Sequence, residues 1–118
     1  MADAGLFIGW GQVVRGREDR ALEVFNETIE LYGQMQADGR IESFDVALLE
    51  PHGGELAGYV LLRGSDEQVD AVRHDEDFRR LMQRADFIVD GLGLVPALVG
   101  DSLAQGMAMY REEMAGVS

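Results

Sequence analysis

"RIESFDVALLEPHGGELAGYVLLRG", residues 40–64, is the stretch that decides the fold. Two runs with alternating apolar residues flank "PHGG" at 51–54, whose proline and glycines are typical of a turn. We therefore predict one strand over 40–50 and a second over 55–64, paired as an antiparallel hairpin. The fold then depends on which elements the chain supplies on either side of this hairpin.

The chain before the hairpin is predicted to form one strand and one long helix. "LFIGWGQVV" at 6–14 alternates in the manner of a strand. Apolar residues at helical spacing then predict a helix from about 17 to 37. Gly39 follows this helix, as expected of a C-cap. The main apolar stripe of the helix comprises Leu22, Phe25, Ile29 and Tyr32.

The chain after the hairpin is predicted to begin with an interrupted helix. Ser65 and Gln68 have the spacing of a capping box, so a helix begins directly after the hairpin. "HDED" at 74–77 interrupts this helix, and either Asp75 or Asp77 recaps it.

One more strand and a last helix complete the chain. "FIVDGLGLVPALV" at 87–99 predicts the fourth strand, and Asp101 or Ser102 is expected to cap a helix over 101–115. This helix has a narrow apolar seam that must dock on its own sheet edge or across a dimer. The seam consists of Leu103, Met107, Tyr110 and Met114.

The order of these elements predicts an α+β fold of the ferredoxin-like type. A β-α-β-β-α-β order corresponds to a split βαβ arrangement, an antiparallel sheet with helices on one face. At 118 residues the chain is expected to be a single domain, 1–118. Its core is expected over 6–100, with the last helix appended.

The chain resembles the dimeric α+β-barrel superfamily over residues 6 to about 100. The resemblance is carried by the element order, by the interrupted helix "DEQVDAVRHDEDFRRLMQRA" at 66–85, and by the long last strand. It implies a homodimer in which two ferredoxin-like sheets meet back to back. Members of the superfamily include cofactor-independent monooxygenases, isomerases and haem-degrading enzymes, so the fold alone does not define an activity.

Composition excludes several kinds of chemistry. There is no cysteine, which excludes disulfides, thiolate catalysis and cysteine-based metal sites. All ten cationic side chains are arginines, so neither a Schiff-base lysine nor a P-loop lysine is present. A net charge of −12 disfavours nucleic acid and anionic membranes as partners. "MADAG" at 1–5 lacks the basic start of a signal peptide and no apolar run is long enough for a bilayer, so we predict a cytoplasmic protein.

Glycines within the strands raise the question of a pocket. "GWG" at 9–11 lies inside a strand and lacks the spacing of a dinucleotide-binding loop. Strand glycines usually mark a bulge or the close approach of something bulky, so we expect them to cluster under the helices. Either side chains fill the space above them, or part of that space is an apolar pocket for a small organic ligand. The glycines are Gly9, Gly11, Gly58, Gly91 and Gly93, and the filling side chains would be Phe25, Tyr32, Phe78 and Met82.

The other sheet face is predicted to be polar and aromatic. It is interpreted as a homodimer interface, with an exposed sheet and a ligand site as alternatives. Carboxylates buried there would need partners, for which Arg63 and Arg40 are available. The residues assigned to this face are Trp10, Gln12, Ser43, Asp45, Tyr59 and Asp90.

Candidate site residues follow from residue type and position. His74 is a candidate general base and Tyr32 a second catalytic candidate, whereas His52 is expected to be a solvated loop residue. His74 and the three acidic residues after it are consecutive, so they point in different directions and do not form a metal site. The arginines of 79–84 are expected to pair with Asp75, Asp77 and Asp86. Candidate ligand-binding residues are Trp10, Phe25, Tyr59 and Arg79.

Two functions are consistent with the sequence. The first is a dimeric protein that binds a small organic molecule, with a cofactor-independent oxygenase or isomerase as its enzymatic form. The alternative is a non-catalytic dimeric binding or scaffold module. Neither needs a metal or a cofactor, and we predict none; haem in particular is disfavoured because neither histidine lies on a pocket-facing stripe.

Overall fold

The computed structural model describes residues 3–117, which form one four-stranded antiparallel sheet and the helices around it. The strand order is β2-β3-β1-β4, which is that of a ferredoxin-like fold. The predicted hairpin between the second and third strands and the predicted β-α-β-β-α-β order are therefore confirmed. The elements are β1 (Ala4–Trp10), α1 (Glu18–Ala37), β2 (Ser43–Leu48), β3 (Gly58–Gly64), α2 (Asp66–His74), α3 (Glu76–Asp86), β4 (Gly93–Leu98) and α4 (Gly100–Val117).

The core lies between one face of the sheet and helices α1, α2 and α3. Leu6 and Ile8 of β1 lie opposite Leu62 and Val60 of β3, and all four are buried. Burial of each such side chain is worth about 1.5–3 kcal/mol, so this face determines which side of the sheet the helices cover. The helices contribute the buried residues Val24, Tyr32, Met35, Val69, Val72, Phe78, Leu81 and Met82.

Side-chain caps fix the two helices that follow the hairpin. The Gln68 backbone N–H donates to Ser65 Oγ at 3.1 Å, and the Ser65 backbone N–H donates to Gln68 Oε1 at 2.8 Å. The predicted capping box is therefore confirmed. Of the two aspartates expected to recap the interrupted helix, Asp75 does so, by accepting from the Phe78 N–H at 3.0 Å. Gly39, with a φ of +75°, follows α1 in the left-handed conformation that favours glycine.

The strands are shorter than the sequence predicts. β1 ends at Trp10 instead of residue 14, and β4 begins at Gly93 instead of residue 87. Beyond those limits the two segments are joined by separate hydrogen bonds, among them Gly11 N–H to the Asp90 carbonyl at 2.7 Å, and by an isolated bridge between Val13 and Val89. The positive φ of Gly91, +63°, interrupts the extended backbone. The hairpin strands likewise stop short, at 43–48 and 58–64.

The sequence assigns Trp10 and Gly9 to the wrong faces of the sheet. Three other residues lie on the face without helices, as predicted: Ser43, Asp45 and Tyr59. Trp10 follows Leu6 and Ile8 in the strand alternation and lies on the helix side, whereas Gly9 lies on the opposite face under the Phe7 ring. The prediction that Gly9 lies under the helices, with Trp10 on the far side, is therefore wrong. The physical reason is that Leu6 and Ile8 bury more apolar surface than the glycines do, and Trp10 shares their face.

Helix α4 extends from the sheet edge. It begins at Gly100, so Ser102 lies within its first turn, where the hydroxyl accepts from the Val99 N–H at 3.0 Å and donates to the Val99 carbonyl at 2.8 Å. No residue of α4 is buried, and the helix packs along β4. Among the helices of residues 3–117, none combines the length and apolar character needed to cross a bilayer.

Candidate functional site

A cavity of about 330 Å³ opens between the helix side of the sheet and helices α1 and α3. It lies at the end of the sheet where Trp10 and Gly58 pair, beside the segment 88–92 that leads into β4. Most of its walls are aliphatic, and its volume is at the small end of the range for ligand pockets. Its aromatic and polar lining residues are Trp10, Glu18, Phe25, Thr28 and Tyr32, and we call it the Trp10–Tyr32 cavity.

Trp10 is held in the cavity wall by contacts on two sides. Its indole meets the Phe25 ring edge-on, with ring centres 6.2 Å apart and planes at 66°. On the neighbouring strand, a Cβ at Gly58 would lie 2.7 Å from the Trp10 Cζ2 atom. The absence of a side chain at Gly58 is therefore what gives the indole its place on the sheet.

Tyr32 lies deep in the same cavity. Its ring centre is 5.8 Å from that of Phe44 and 6.4 Å from that of Phe78, and the residue is 1% exposed. This burial raises the pKa of the Tyr32 phenol well above its ordinary value, because the charged form would be poorly solvated. The hydroxyl, already protonated at neutral pH at its ordinary pKa, stays protonated further into the alkaline range and has a proton to donate.

The two other polar residues of the lining already have partners. The Thr28 hydroxyl donates within α1, with the Val24 carbonyl at 2.9 Å and the Phe25 carbonyl at 2.7 Å. Glu18 is exposed, and its Oε1 accepts from the Gly16 N–H at 2.9 Å. Glu18 therefore places a carboxylate on the lining near the solvent, where α1 begins.

The structure brings together three of the predicted site residues, Trp10, Phe25 and Tyr32. Tyr59 lies on the opposite sheet face, stacked on Phe7 with ring centres 5.4 Å apart. Arg79 is exposed on α3 and is not among the residues that line the cavity.

The two predicted catalytic residues are not neighbours. His74 has a side chain that is 75% exposed, and its Nδ1 lies 2.8 Å from the Asp70 carbonyl oxygen at the end of α2. Among the described residues it is not part of the lining of the Trp10–Tyr32 cavity, so its role as a general base stays a prediction. His52 lies in the hairpin turn, with Nε2 2.8 Å from the Leu56 carbonyl oxygen and Nδ1 3.2 Å from the Gly54 nitrogen.

The arginines pair differently from the predicted scheme. Arg80 bonds Glu76 at 2.7 Å, one turn earlier on α3, and Arg84 bonds Glu27 of α1 at 2.8 Å. Asp75 instead lies 3.5 Å from Arg40. The helical spacing i,i+4 and the packing of α1 against α3 bring these groups together. Within residues 3–117, no cluster of three or more potential metal-ligating side chains is found.

The open sheet face, the side not covered by helices, is apolar at its centre. Phe7 and Leu61 lie opposite each other there, and Val95 of β4 is 51% exposed. At one edge of this face Arg63 Nε lies 3.4 Å from Asp45 Oδ2, so the predicted pairing of Asp45 with Arg63 is present.

The sequence reasoning missed three residues that shape the cavity. The sequence predicts that Gly58 is a strand glycine. Its pairing with Trp10 follows only from the strand register, which the sequence does not give. Ala85 and Ala21 are small residues on the lining stripes of α3 and α1, and they leave the volume that larger residues would fill. In the sequence, a small residue at a core-facing position of a predicted helix is the feature that could have indicated a cavity at Ala21 and Ala85.

Comparisons with known proteins identify the fold. No family model and no curated protein matches the chain. A dimeric ferredoxin-like protein of unknown function from Jannaschia sp. CCS1 is similar with a TM-score of 0.64 and 13% identity, over 81% of this chain and 98% of that one. A dimeric protein of unknown function and ferredoxin-like fold from Bacteroides fragilis is similar with a TM-score of 0.60 and 12% identity, over 81% and 96%.

A third solved structure has a stated activity. It is SnoaB, a cofactor-independent oxygenase from Streptomyces nogalater, with a TM-score of 0.50 and 16% identity, over 84% of this chain and 93% of that one. At these identities the likeness shows the fold and not the activity. The chain thus has the ferredoxin-like α+β fold found in dimeric proteins of this kind, and the predicted resemblance to dimeric α+β-barrel proteins is confirmed at the level of the fold.

Proposed function

We propose that this protein is a homodimer that binds one small, mainly apolar organic molecule per subunit in the Trp10–Tyr32 cavity. The observation that carries the proposal is the cavity itself, which has a volume of about 330 Å³ and mainly aliphatic walls. Two of its lining residues, Trp10 and Tyr32, are aromatic and also have a polar N–H or O–H group. A concave apolar site with a few polar groups is the usual form of a small-molecule site.

The homodimer is supported by the open sheet face and by the solved structures. Phe7, Leu61 and Val95 form an apolar centre on that face, and the similar proteins from Jannaschia and Bacteroides are dimeric. A sheet face of this kind is buried efficiently by a second copy of itself, because an isologous contact uses the same residues twice. The Asp45–Arg63 pair brings its own compensating charge to the edge of such an interface.

An enzymatic form of this function is a cofactor-independent oxygenase or isomerase. The similar fold of SnoaB favours this second candidate, as does the presence of the Tyr32 phenol inside the cavity. The ionisable side chains that a reaction there could use are Tyr32 and Glu18, since His74 is not part of the lining. A non-catalytic binding or scaffold module remains the alternative, and it needs the same dimer.

The sole tryptophan makes binding directly measurable, since Trp10 lies in the cavity wall. We expect titration with ethylbenzene to shift the Trp10 emission to shorter wavelengths in a saturable manner, because the ligand displaces water from the indole. Ala85→Phe, which fills the cavity, should abolish the shift. Ala37→Phe, at the exposed end of α1, is the matched control and should leave it unchanged.

Native mass spectrometry of freshly purified protein completes the test. A dimer with a reproducible additional mass, absent in Ala85→Phe, would support both parts of the proposal. If neither ethylbenzene nor any co-purified molecule binds the unmodified protein, the small-molecule function is wrong and the module without a ligand is favoured.

A further inference from the structure

We propose that the Trp10–Tyr32 cavity selects an uncharged ligand whose apolar body carries a hydrogen-bond acceptor, such as the carbonyl of a ketone, aldehyde or ester, and that it rejects carboxylates. This inference rests on the proposed function and adds the chemical class of the ligand. It depends on which polar groups of the lining still have a proton to donate, and on the charges around them.

The Tyr32 hydroxyl is available to a ligand. Within residues 3–117 the interactions of Tyr32 are its two ring contacts, and no described group forms a hydrogen bond with its hydroxyl. Yet no fully buried side-chain oxygen or nitrogen among the described residues lacks a partner. The Tyr32 oxygen must therefore reach open space, and the Trp10–Tyr32 cavity is the described cavity that Tyr32 lines.

Two polar groups of the lining, Tyr32 and Trp10, have a proton that no described residue accepts. The Tyr32 phenol retains its proton because burial raises its pKa. The Trp10 indole N–H can only donate, and no described residue accepts from it. The Thr28 proton is already used within α1. A ligand that supplies an acceptor would therefore satisfy protons that the described residues leave without one.

The charges around the cavity disfavour an anionic acceptor. The described lining contains no arginine or histidine, and its one carboxylate-bearing residue is Glu18. A carboxylate ligand would enter an apolar site without a counter-ion and would be repelled by Glu18. A neutral carbonyl accepts the same hydrogen bond without that desolvation penalty.

Three ligands of similar size test this selectivity: ethylbenzene, acetophenone and benzoate, which present no acceptor, a neutral acceptor and an anionic one. Isothermal titration calorimetry would be carried out on the unmodified protein, Tyr32→Phe, Glu18→Gln and the control Tyr59→Phe. We expect Tyr32→Phe to weaken acetophenone about 3- to 10-fold, the worth of one hydrogen bond, and to leave ethylbenzene unchanged. Tyr59→Phe should affect neither, since Tyr59 lies on the opposite sheet face.

Benzoate should bind at least about 100-fold more weakly than acetophenone, and Glu18→Gln should reduce this difference by strengthening benzoate alone. The inference is overturned if Tyr32→Phe weakens ethylbenzene and acetophenone equally, or if benzoate binds as well as acetophenone. In those cases ligand binding itself still stands. If none of the three ligands binds, the proposed function and this inference are both wrong.

Discussion

Gly58 is the residue on which the position of Trp10, and so the shape of the cavity, depends. A Cβ there would lie 2.7 Å from the indole Cζ2 and 2.9 Å from the Ala47 carbonyl oxygen. The indole could move aside, but the Ala47 oxygen belongs to the paired backbone of β2. Even the smallest side chain must therefore displace the tryptophan or separate the strands.

We expect Gly58→Ala to destabilise the protein by about 1–3 kcal/mol, as overpacking does, and to change the Trp10 emission spectrum. Gly33→Ala is the matched control, because Gly33 lies within α1 and a Cβ there meets no atom within 4 Å. It should stabilise the helix by about 0.5–1 kcal/mol. Urea unfolding measures both effects, and equal stability of Gly58→Ala and the unmodified protein would contradict the close contact.

Tyr32 gives the protein an alkaline limit of stability. Its pKa is raised in the folded state, so the neutral phenol is favoured by folding. Below a pH of about 10, the ordinary tyrosine pKa, both states are protonated and the contribution is fully present. As the pH rises above that value the unfolded chain ionises while the buried phenol does not, and stability is lost by up to about 1.4 kcal/mol per pH unit.

Tyr32→Phe should reduce the loss of unfolding free energy with rising pH. Tyr110→Phe, at a residue that is 63% exposed, should leave this loss unchanged. The composition leaves few other side chains that would contribute to this pH dependence. The chain has no lysine and no cysteine, so in the unfolded state its three tyrosines are the side chains expected to titrate between about pH 9 and 12. Urea unfolding at several pH values in that range gives the slopes. A decline that is identical in Tyr32→Phe and the unmodified protein would show that Tyr32 ionises freely.

Local features of single residues were predictable from the sequence, whereas the side of the sheet was not. The Ser65–Gln68 capping box and the Asp75 cap each join atoms three residues apart, so short sequence patterns contain them. The alternation of β1 correctly separates Trp10 from Gly9 but does not say which face the helices cover. Both faces carry aromatic residues, and only the register with β3 places Leu62 and Val60 beside Leu6 and Ile8.

At the scale of the elements, α4 contacts β4 but buries none of its own residues within the described subunit. The residues of its predicted apolar seam, Leu103, Met107, Tyr110 and Met114, are 48–63% exposed. Most of the stability of a helix in a protein comes from the tertiary packing of one apolar face. We therefore expect the seam to pack against the partner subunit in the homodimer, which is the second of the two docking modes that the sequence leaves open.

Met107→Glu should weaken the dimer, because it places a carboxylate in the middle of this seam. Gln105→Glu is the matched control, since it makes a similar change in charge on the same helix outside the seam. We expect the dissociation constant to rise about 10- to 100-fold in Met107→Glu and to change by less than about 3-fold in the control. Sedimentation velocity over a range of concentrations measures both constants, and equal effects would indicate that only the added charge matters.

At the scale of the whole molecule, charge and apolar surface oppose each other. Each subunit has a net charge of −12, so two subunits repel when they associate. In the proposed homodimer, the open sheet face would overcome this repulsion through the burial of Phe7, Leu61 and Val95. Screening by salt reduces the repulsion between exposed charges, and it leaves the burial of apolar surface in place. A dimer formed through this face should therefore become tighter as the salt concentration rises.

Leu61→Glu should separate the proposed dimer into monomers. Leu61 lies on the central strand β3, opposite Phe7 on the open face, so an isologous contact brings two of the new carboxylates into one apolar interface. Such a change costs about 2–5 kcal/mol, which raises the dissociation constant by a factor of about 30 or more.

Phe87→Glu is the control, because Phe87 is 71% exposed at the end of α3 and lies outside the sheet. Sedimentation equilibrium at low and high salt would measure both variants. A Leu61→Glu protein that remains as dimeric as the control would place the interface elsewhere, whereas a folded monomer that still binds ethylbenzene would show that each subunit holds its cavity without the partner.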